Sequence, residues 1–343
     1  MTRQAAGMSA QIRWLILAII AVLALGSVTV YAVQAFGRYQ ARTTGASAAQ
    51  VTDKLVDGNR IVFRNTAMGQ GYGQIASVAI ADPAGPRELF QTVCDRVDAT
   101  AQYISCMRTQ RGIPTTFETR ILDAQANSID EWPLSGVPSR TRISEAGLVA
   151  TTAFVTGHSY ATDSFSTETV IRSVQGQDFG NLENYSIFID GQELTAIDRN
   201  VWGVTFATEN KFYATVASAG KTWMVEGNLE ERRMNSIIEN AECPSVAPDQ
   251  SKVAYKKRRA QGGLAHWDIA VLDLKTQKET LLPLEQGFDD QLEWLDSQTL
   301  LFGMPRTDSV GDSDVYSIKA TTNAQPQLFI KDAWSPSVVR IVK

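Results

Sequence analysis

Residues 247–284 read APDQSKVAYKKRRAQGGLAHWDIAVLDLKTQKETLLPL, and they carry the clearest indication of the fold. It holds three runs rich in Val, Leu, Ile, Tyr and Thr, at 252–258, 267–274 and 278–284. Polar, turn-forming residues separate the runs, as in strands that are joined by hairpins. The order of strand, hairpin, strand, tight turn and strand predicts one blade of a β-propeller.

The turn that opens this stretch recurs along the chain. Units with a polar turn followed by a β-branched or aromatic run occupy 97–108, 143–154, 206–217, 247–258, 294–305 and 334–342. Most units begin about 40 to 47 residues apart, which is the length of one four-stranded blade. The interval between the units at 143 and 206 is longer and predicts an insertion of about 20 residues, which we expect within 157–180.

Six units predict an all-β fold, a six-bladed β-propeller over residues 59–343, with seven blades as the alternative. A β-sandwich also has short strands at even spacing, but the recurring turn favours the propeller. We expect the last unit, WSPSVVRIV (334–342), to pair with strands near the start of the propeller and close the ring.

Composition excludes several classes of protein. The chain has 343 residues, of which 44% are hydrophobic and 20% charged, as in a globular protein. A net charge of -5 argues against nucleic-acid binding, which needs a basic face. With only two His residues in the chain, a His-based metal or acid–base site is hard to build. We therefore predict no cofactor, no metal and no catalytic residue.

An apolar run precedes the propeller. Residues 14–33 read WLILAIIAVLALGSVTVYAV, without a charge. In a helix this run spans about 30 Å, the thickness of the hydrocarbon core of a bilayer. It predicts a single transmembrane anchor after a short cytoplasmic N-terminus (1–13), with a linker at 34–58. The alternative is a cleaved signal peptide, whose apolar part is usually shorter. Under either interpretation, the propeller is exported from the cytoplasm.

Two of the three cysteines are predicted to form a disulfide. Cys94 and Cys106 flank a polar turn between two strand-like runs, and directly opposed positions of a hairpin lie within disulfide reach. An exported protein meets the oxidising conditions that such a bond needs. The alternative is a pair of buried free thiols. Cys243 has no obvious partner and is expected to be a small buried residue.

The repeats resemble a known family. CPSVAPDQSKVAYKKR (243–258) and DIAVLDLKTQKET (268–280) are similar to the repeats of TolB-like propellers, in which a turn Ser-Pro-Asp-Gly precedes a strand. The fragments PSRTRIS (138–144), TGHSYATDSFSTET (156–169), WGVTFA (202–207) and DDQLEWLD (289–296) resemble actinobacterial TolB-like translocation proteins with an N-terminal signal or anchor segment. The position of the turn glycine holds Gln250 here, so we expect that turn to differ in type.

The resemblance implies a role in protein interaction. TolB is periplasmic and works with an outer-membrane lipoprotein and an inner-membrane complex. By this analogy, the partners of the chain are the membrane, through the N-terminal helix, and an envelope protein or a peptidoglycan-associated partner. The oligomeric state is left open. Analogy at the level of the fold does not establish function.

Two groups of residues are candidates for a binding face. His158 and Ser159 lie in GHSYA (157–161), which matches only the first three positions of the G-x-S-x-G nucleophile motif. Asp289, Asp290 and Glu293 form an acidic cluster. Such carboxylates could serve a hydrolase or lyase, or could pair with the basic run 256–259 on a neighbouring blade.

The sequence thus predicts a propeller on the extracytoplasmic side of the cell membrane that acts in binding, assembly or translocation. Two alternatives remain: a hydrolase or lyase that uses acidic residues on one face, and a sensor of a small ligand or glycan. Convergence of the acidic residues and His158 around an empty cleft would favour the enzyme.

Overall fold

The computed structural model describes residues 9–54, 56–155, 166–259, 266–307 and 311–341. One long helix precedes the strands, α1 (Ala10–Thr43). Its residues up to Gly37 are exposed, and it is long and apolar enough to cross a membrane. Ser9 caps its N-terminus by accepting from the Ile12 amide. The N-terminal apolar helix expected from the sequence is therefore present.

The strands follow in chain order and fall into six groups. The first group is β1 (Val51–Thr52), β2 (Arg60–Asn65), β3 (Gln74–Ala79) and β4 (Arg87–Val93). The second is β5 (Arg96–Ala99), β6 (Tyr103–Gln110), β7 (Thr116–Asp123) and β8 (Ser128–Pro133). The third is β9 (Val137–Ile143), β10 (Leu148–Val155), β11 (Ser166–Ser173) and β12 (Asp178–Asn181).

The fourth group follows a 3₁₀ turn (Leu182–Asn184) and is β13 (Ser186–Ile189), β14 (Gln192–Glu193), β15 (Asn200–Phe206), β16 (Lys211–Ser218), β17 (Lys221–Asn228) and β18 (Arg233–Glu239). The fifth is β19 (Glu242–Val246), β20 (Lys252–Arg258), β21 (Trp267–Asp273) and β22 (Glu279–Leu282). The sixth is β23 (Glu293–Asp296), β24 (Thr299–Pro305), β25 (Ser313–Lys319) and β26 (Gln327–Ile330), before the last strand, β27 (Ala333–Val339).

These strands form six sheets, and each sheet is one blade of a propeller. We number the blades 1 to 6 in the order of the groups. In blades 2 to 6 the first strand of the four-stranded meander is innermost, so β5, β9, β15, β19 and β23 surround the axis. The prediction of an all-β, six-bladed propeller is confirmed.

Blade 1 is completed by the C-terminus. Its sheet has the order β1-β4-β3-β2-β27, so the last strand of the chain is its innermost strand. The antiparallel register places Arg60 opposite Val339 and Asn65 opposite Ala333. The closure expected for the last repeat is therefore found, and it joins the two ends of the propeller by backbone hydrogen bonds.

Apolar side chains fill the spaces between neighbouring blades. Ile269 of blade 5, for example, packs in one buried cluster with Trp294 and Phe302 of blade 6. Runs of consecutive buried residues, as in β10 and β16, give these blades two buried faces, because successive side chains of a strand point to opposite faces and each sheet has a neighbour on either side.

The expected range of the insertion, 157–180, lies partly outside the described residues, and its described part, from Ser166 on, belongs to β11 and β12 in the regular meander of blade 3. The additional structure is the 3₁₀ turn with β13 and β14, which widen blade 4 to six strands. β13 pairs in parallel with the outer strand β18, which places the hairpin at the circumference.

In the turn before β20, a residue other than glycine adopts the left-handed conformation. Gln250 has φ of 56°, in the region that normally favours glycine. Asp249 stabilises the turn, because its carboxylate accepts from the amide and the hydroxyl of Ser251 at 3.0 and 2.7 Å. Gln250 therefore adopts the left-handed conformation that glycine supplies in the repeats of the family.

The disulfide between Cys94 and Cys106 is formed, and its Cα atoms are 5.5 Å apart. Cys106 lies in β6 opposite Val97, whereas Cys94 lies in the connection from blade 1 to blade 2. The bond therefore ties the crossover between two blades to the second strand of blade 2, instead of joining directly opposed hairpin positions.

Ser337 connects the closing strand to its neighbouring blade. Its buried hydroxyl donates to the Ala99 carbonyl at 3.0 Å and accepts from the Ala99 amide at 2.9 Å. We predict that Ser337→Ala lowers the free energy of unfolding by about 1–3 kcal/mol, because both backbone groups lose a buried partner. Denaturant titration measures the change. Exposed Ser135→Ala is the control, and an equal effect of the two substitutions would contradict the prediction.

A charged axial channel and a cavity at its mouth

The innermost strands bring charged side chains to the propeller axis. Residues two apart in a strand share a face, so Arg140 and Arg142 of β9 both point inwards, as do Arg96 and Asp98 of β5. We call the end of the axis that carries the first hairpin turns of the blades the cavity face; these turns include 144–147, 207–210 and 247–251. The opposite end is the helix face.

Asp289 lies towards the helix face, in the connection from blade 5 to blade 6. Its Oδ1 accepts from Arg140 Nη2 at 2.7 Å and from Lys256 Nζ at 2.6 Å. The Asp289 side chain is 65% exposed, while those of Arg140 and Lys256 are buried. Although partial burial opposes ionisation, these cations lower the pKa of Asp289 to about 2. One carboxylate thus joins blades 3, 5 and 6.

Asp290 is fully buried beside it. Its Oδ2 accepts from the amides of Gly303 and Ser335, both at 3.0 Å. Its Oδ1 lies 3.7 Å from Arg96 Nη1, too far for a hydrogen bond. Burial raises the pKa of Asp290 despite the nearby Arg96 and Arg140. Asp290 therefore fixes the closing strand to blade 6 through backbone amides.

Arg142, Asp98 and Glu293 form a layer of charged side chains across the axis, at the end nearest the cavity face; we call it the Arg142 layer. Arg142 Nη1 donates to Asp98 Oδ1 at 3.2 Å and to Glu293 Oε2 at 2.8 Å, and its Nη2 donates to the Leu292 carbonyl. Asp98 belongs to blade 2 and Glu293 to blade 6, so the guanidinium crosses the axis between opposite blades 3 and 6. Burial raises the pKa of Glu293, and the negative charge of Asp98 adds to this effect.

A cavity of about 450 Å³ opens from this layer towards the cavity face. Asp98, Arg142 and Glu293 line it together with polar groups and the rings of Phe206 and Trp294. The hairpin turns of blades 3, 4 and 5 contribute to its rim. Ligand sites in proteins are concave places of this size with a few convergent polar groups. This cavity is our candidate functional site.

The structure brings part of the predicted binding face together. Asp289, Asp290 and Glu293 all reach the axis, but only Glu293 lines the cavity. Each of the three has a cation nearby, so none is a free carboxylate beside an empty cleft. The predicted pairing with the basic run is seen at Lys256. His158 and Ser159 lie outside the described residues.

Sequence reasoning missed Asp98, Arg140 and Arg142. Their signal was the placement of charged residues at every second position of innermost strands, in RVDA (Arg96–Ala99) and VPSRTRI (Val137–Ile143). Within the described parts of the chain, no group of three or more His, Cys, Asp or Glu side chains could hold a metal ion.

The fold and its closure define a six-bladed β-propeller, and solved structures share it. TolB from Acinetobacter baumannii matches with a TM-score of 0.57 at 13% identity, over 82% of this chain and 67% of TolB. At this identity the likeness shows the fold alone. No family model and no curated protein matches the sequence.

Two weaker matches carry no argument. A protein of unknown function from Bacteroides caccae has a TM-score of 0.49 at 9% identity, over 83% of this chain and all of that one (100%). A puromycin-hydrolysing peptidase from Mycobacterium tuberculosis has a TM-score of 0.45 at 11% identity, over 84% of this chain. This chain spans 46% of the length of that peptidase.

Arg142 forms salt bridges with two buried carboxylates. We predict that Arg142→Met lowers the free energy of unfolding by about 3–5 kcal/mol, because it removes the salt-bridge partner of Asp98 and Glu293. Adding Asp98→Asn and Glu293→Gln removes the stranded charges and should restore a large part of the loss. Thermal and denaturant unfolding of the single and triple variants measure this. A triple variant less stable than Arg142→Met would contradict the assignment.

Glu293 should make stability depend on pH. Its pKa in the folded state is raised, so its contribution to stability is complete below the unfolded pKa of about 4.3 and is lost as pH rises through the folded value. Glu293→Gln should flatten this decline above about pH 4.3. Unfolding free energies measured from pH 4 to pH 8 test this, with exposed Glu209→Gln as the control. An unchanged pH profile in Glu293→Gln would refute it.

Proposed function

We propose that this chain is a membrane-anchored β-propeller of the cell envelope, of the TolB-like type, which binds a protein partner at its cavity face. The observation that carries the proposal is the cavity at the end of the axis. The Arg142 layer crosses the axis at its floor, so a partner would insert at this mouth instead of threading the ring.

Two features support a position outside the cytoplasm. The helix α1 is apolar and exposed along its length up to Gly37, and an exposed apolar helix is stable where lipid covers it. The disulfide between Cys94 and Cys106 is of a kind that persists in oxidising compartments. Together they favour the propeller on the extracytoplasmic side of a cell membrane.

The hydrogen bonding of the side chains in the cavity favours binding of a protein partner over catalysis. Both oxygens of Glu293 already accept hydrogen bonds within the propeller, Oε2 from Arg142 and Oε1 from the Val338 amide. The resemblance of the repeats to TolB-like propellers, which implies a role in protein interaction, points the same way. We therefore place the chain among binding and assembly modules, with an envelope protein or a peptidoglycan-associated protein as the partner.

Membrane fractionation tests the anchor. We predict that the full-length protein stays in the membrane pellet after alkaline carbonate extraction, with an intact mass that includes α1. Leu23→Arg should weaken retention, because a charge at the centre of a span costs about 2.5–3.5 kcal/mol. The matched control is Gln298→Arg on the propeller. A shortened protein in the soluble fraction would show instead that the segment is a cleaved signal peptide.

Site-specific photo-crosslinking in intact membranes tests the binding face. A photo-reactive residue replaces Glu209, on the rim of the cavity, or Leu328, which is exposed on the outer strand of blade 6. We expect a discrete crosslinked protein from position 209 and none from position 328. Crosslinks from position 328 alone would move the binding surface to the circumference and contradict the proposal.

A further inference from the structure

We infer that α1 holds the propeller in one orientation, with the cavity face away from the membrane, so that the cavity receives a basic side chain of a partner from the aqueous side. The inference deepens the proposed function and rests on its membrane anchor. It follows from how the helix ends, from the path of the chain after it, and from the charges of the cavity.

The end of the helix is bonded to a loop of blade 1. The Gly69 amide donates to the Arg42 carbonyl at 2.8 Å, and the Gln70 amide donates to the Gly45 carbonyl at 3.0 Å. Gly69 has φ of 96°, and a Cβ there would lie 2.2 Å from the Ala46 carbonyl oxygen. Only glycine allows this close approach, so the loop is shaped to receive the end of the helix.

Side chains extend the contact to the neighbouring blades. The Arg42 guanidinium lies 5.8 Å from the centre of the Tyr72 ring in blade 1, and Arg111 of blade 2 lies 5.4 Å from that of Tyr39. On blade 6, a Cβ at Gly311 would lie 2.6 Å from Arg42 Nη1. The loops of three consecutive blades thus surround the last turns of α1, all on the helix face.

The chain after the helix runs along blade 1 and is bound to it by backbone hydrogen bonds. The Ala48 amide donates to the Met68 carbonyl at 2.8 Å, and the Arg87 amide donates to the Gln50 carbonyl at 3.0 Å. β1 then pairs in parallel with β4, at the outer edge of the blade. The linker expected at 34–58 therefore begins as helix and continues as paired backbone, which restrains the propeller against rotation.

The two faces are separated by the length of the strands. A strand of seven residues spans about 23 Å, and the ten helical residues after Val33 extend about 15 Å beyond the apolar run. The contacts of α1 lie on the helix face, whereas the cavity opens at the other end of the axis. The mouth of the cavity therefore stands at most about 40 Å from the hydrocarbon core, the distance reached when helix and strands are aligned.

The cavity has an excess of negative charge. Four carboxylates line it, from Asp98, Glu145, Glu209 and Glu293, against the guanidinium groups of Arg142 and Arg340. Arg142 is already bonded to two of the carboxylates, and Arg340 donates to the carbonyls of Trp294 and Leu295. An ammonium or guanidinium group from a partner would offset the remaining charge, which is the complementarity that selects partners at interfaces.

Fluorescence energy transfer in nanodiscs tests the orientation. The full chain carries one added cysteine for a donor, Ser135→Cys on the helix face or Gln298→Cys on the cavity face, with acceptors on the lipid headgroups. The native Cys243 is buried and Cys94 and Cys106 are bonded. We expect clearly greater transfer from position 135 than from position 298, and a flexible Gly-Ser insertion after Gly37 should reduce the difference.

Equal transfer from both positions, or greater transfer from position 298, would overturn the fixed orientation. Failure of the chain to enter nanodiscs would instead refute the anchor of the proposed function, so the two failures are distinguishable. The insertion variant keeps every propeller residue and separates a loss of orientation from a loss of folding.

Selection from a random-sequence peptide library tests the chemistry of the cavity, with the full chain in nanodiscs as the bait. We expect enrichment of Lys or Arg in the selected peptides, and a fall in affinity of roughly tenfold when Glu145 and Glu209 are both changed to Gln. Acetylation of the selected lysine should have a similar effect. Enrichment of acidic peptides, or unchanged binding to the double variant, would overturn the assignment of a basic partner.

Discussion

The pairing of the last strand with the first complete strand of the propeller is the constraint on which the structure depends. β27 supplies the innermost strand of blade 1 and hydrogen-bonds to β2, so neither end of the ring is a free sheet edge. Open edges are prone to aggregation, and closure removes the need to protect them by other means. Asp290 and Ser337 strengthen the same closure, because they bond the closing strand to blade 6 and to blade 2.

Closure also determines the chemistry of the axis. Six innermost strands face one another, and their inward side chains must either fill the centre or neutralise each other. Here Arg140 of blade 3 and Lys256 of blade 5 bind Asp289 in the connection to blade 6, and Arg142 of blade 3 binds Glu293 of blade 6. Buried ion pairs of this kind add little net stability, but losing one partner is costly. The pairs therefore specify the packing of opposite blades and leave one cavity at the mouth.

The sequence predicts the fold because its signals are local and repeated. The turn with Pro248 and Asp249 and the strand after it recur at the length of a blade, and the apolar run 14–33 has a fixed physical length. The candidate site is harder to predict from the sequence, because Asp98, Arg142 and Glu293 lie on three different blades and meet only when the ring closes. The insertion was misplaced for a related reason: β13 pairs in parallel with β18, a contact between residues about 47 positions apart in sequence.

Hydrogen exchange of the closing strand measures whether β27 holds the propeller together. If ring closure organises the propeller, the paired amides of β27 exchange only through global unfolding, at the same free energy as those of β2 and β5. Mass spectrometry of the peptide 333–339 against denaturant concentration gives this free energy. Exchange of β27 at a much lower free energy, while the other innermost strands stay protected, would show that the ring holds together without its closing strand.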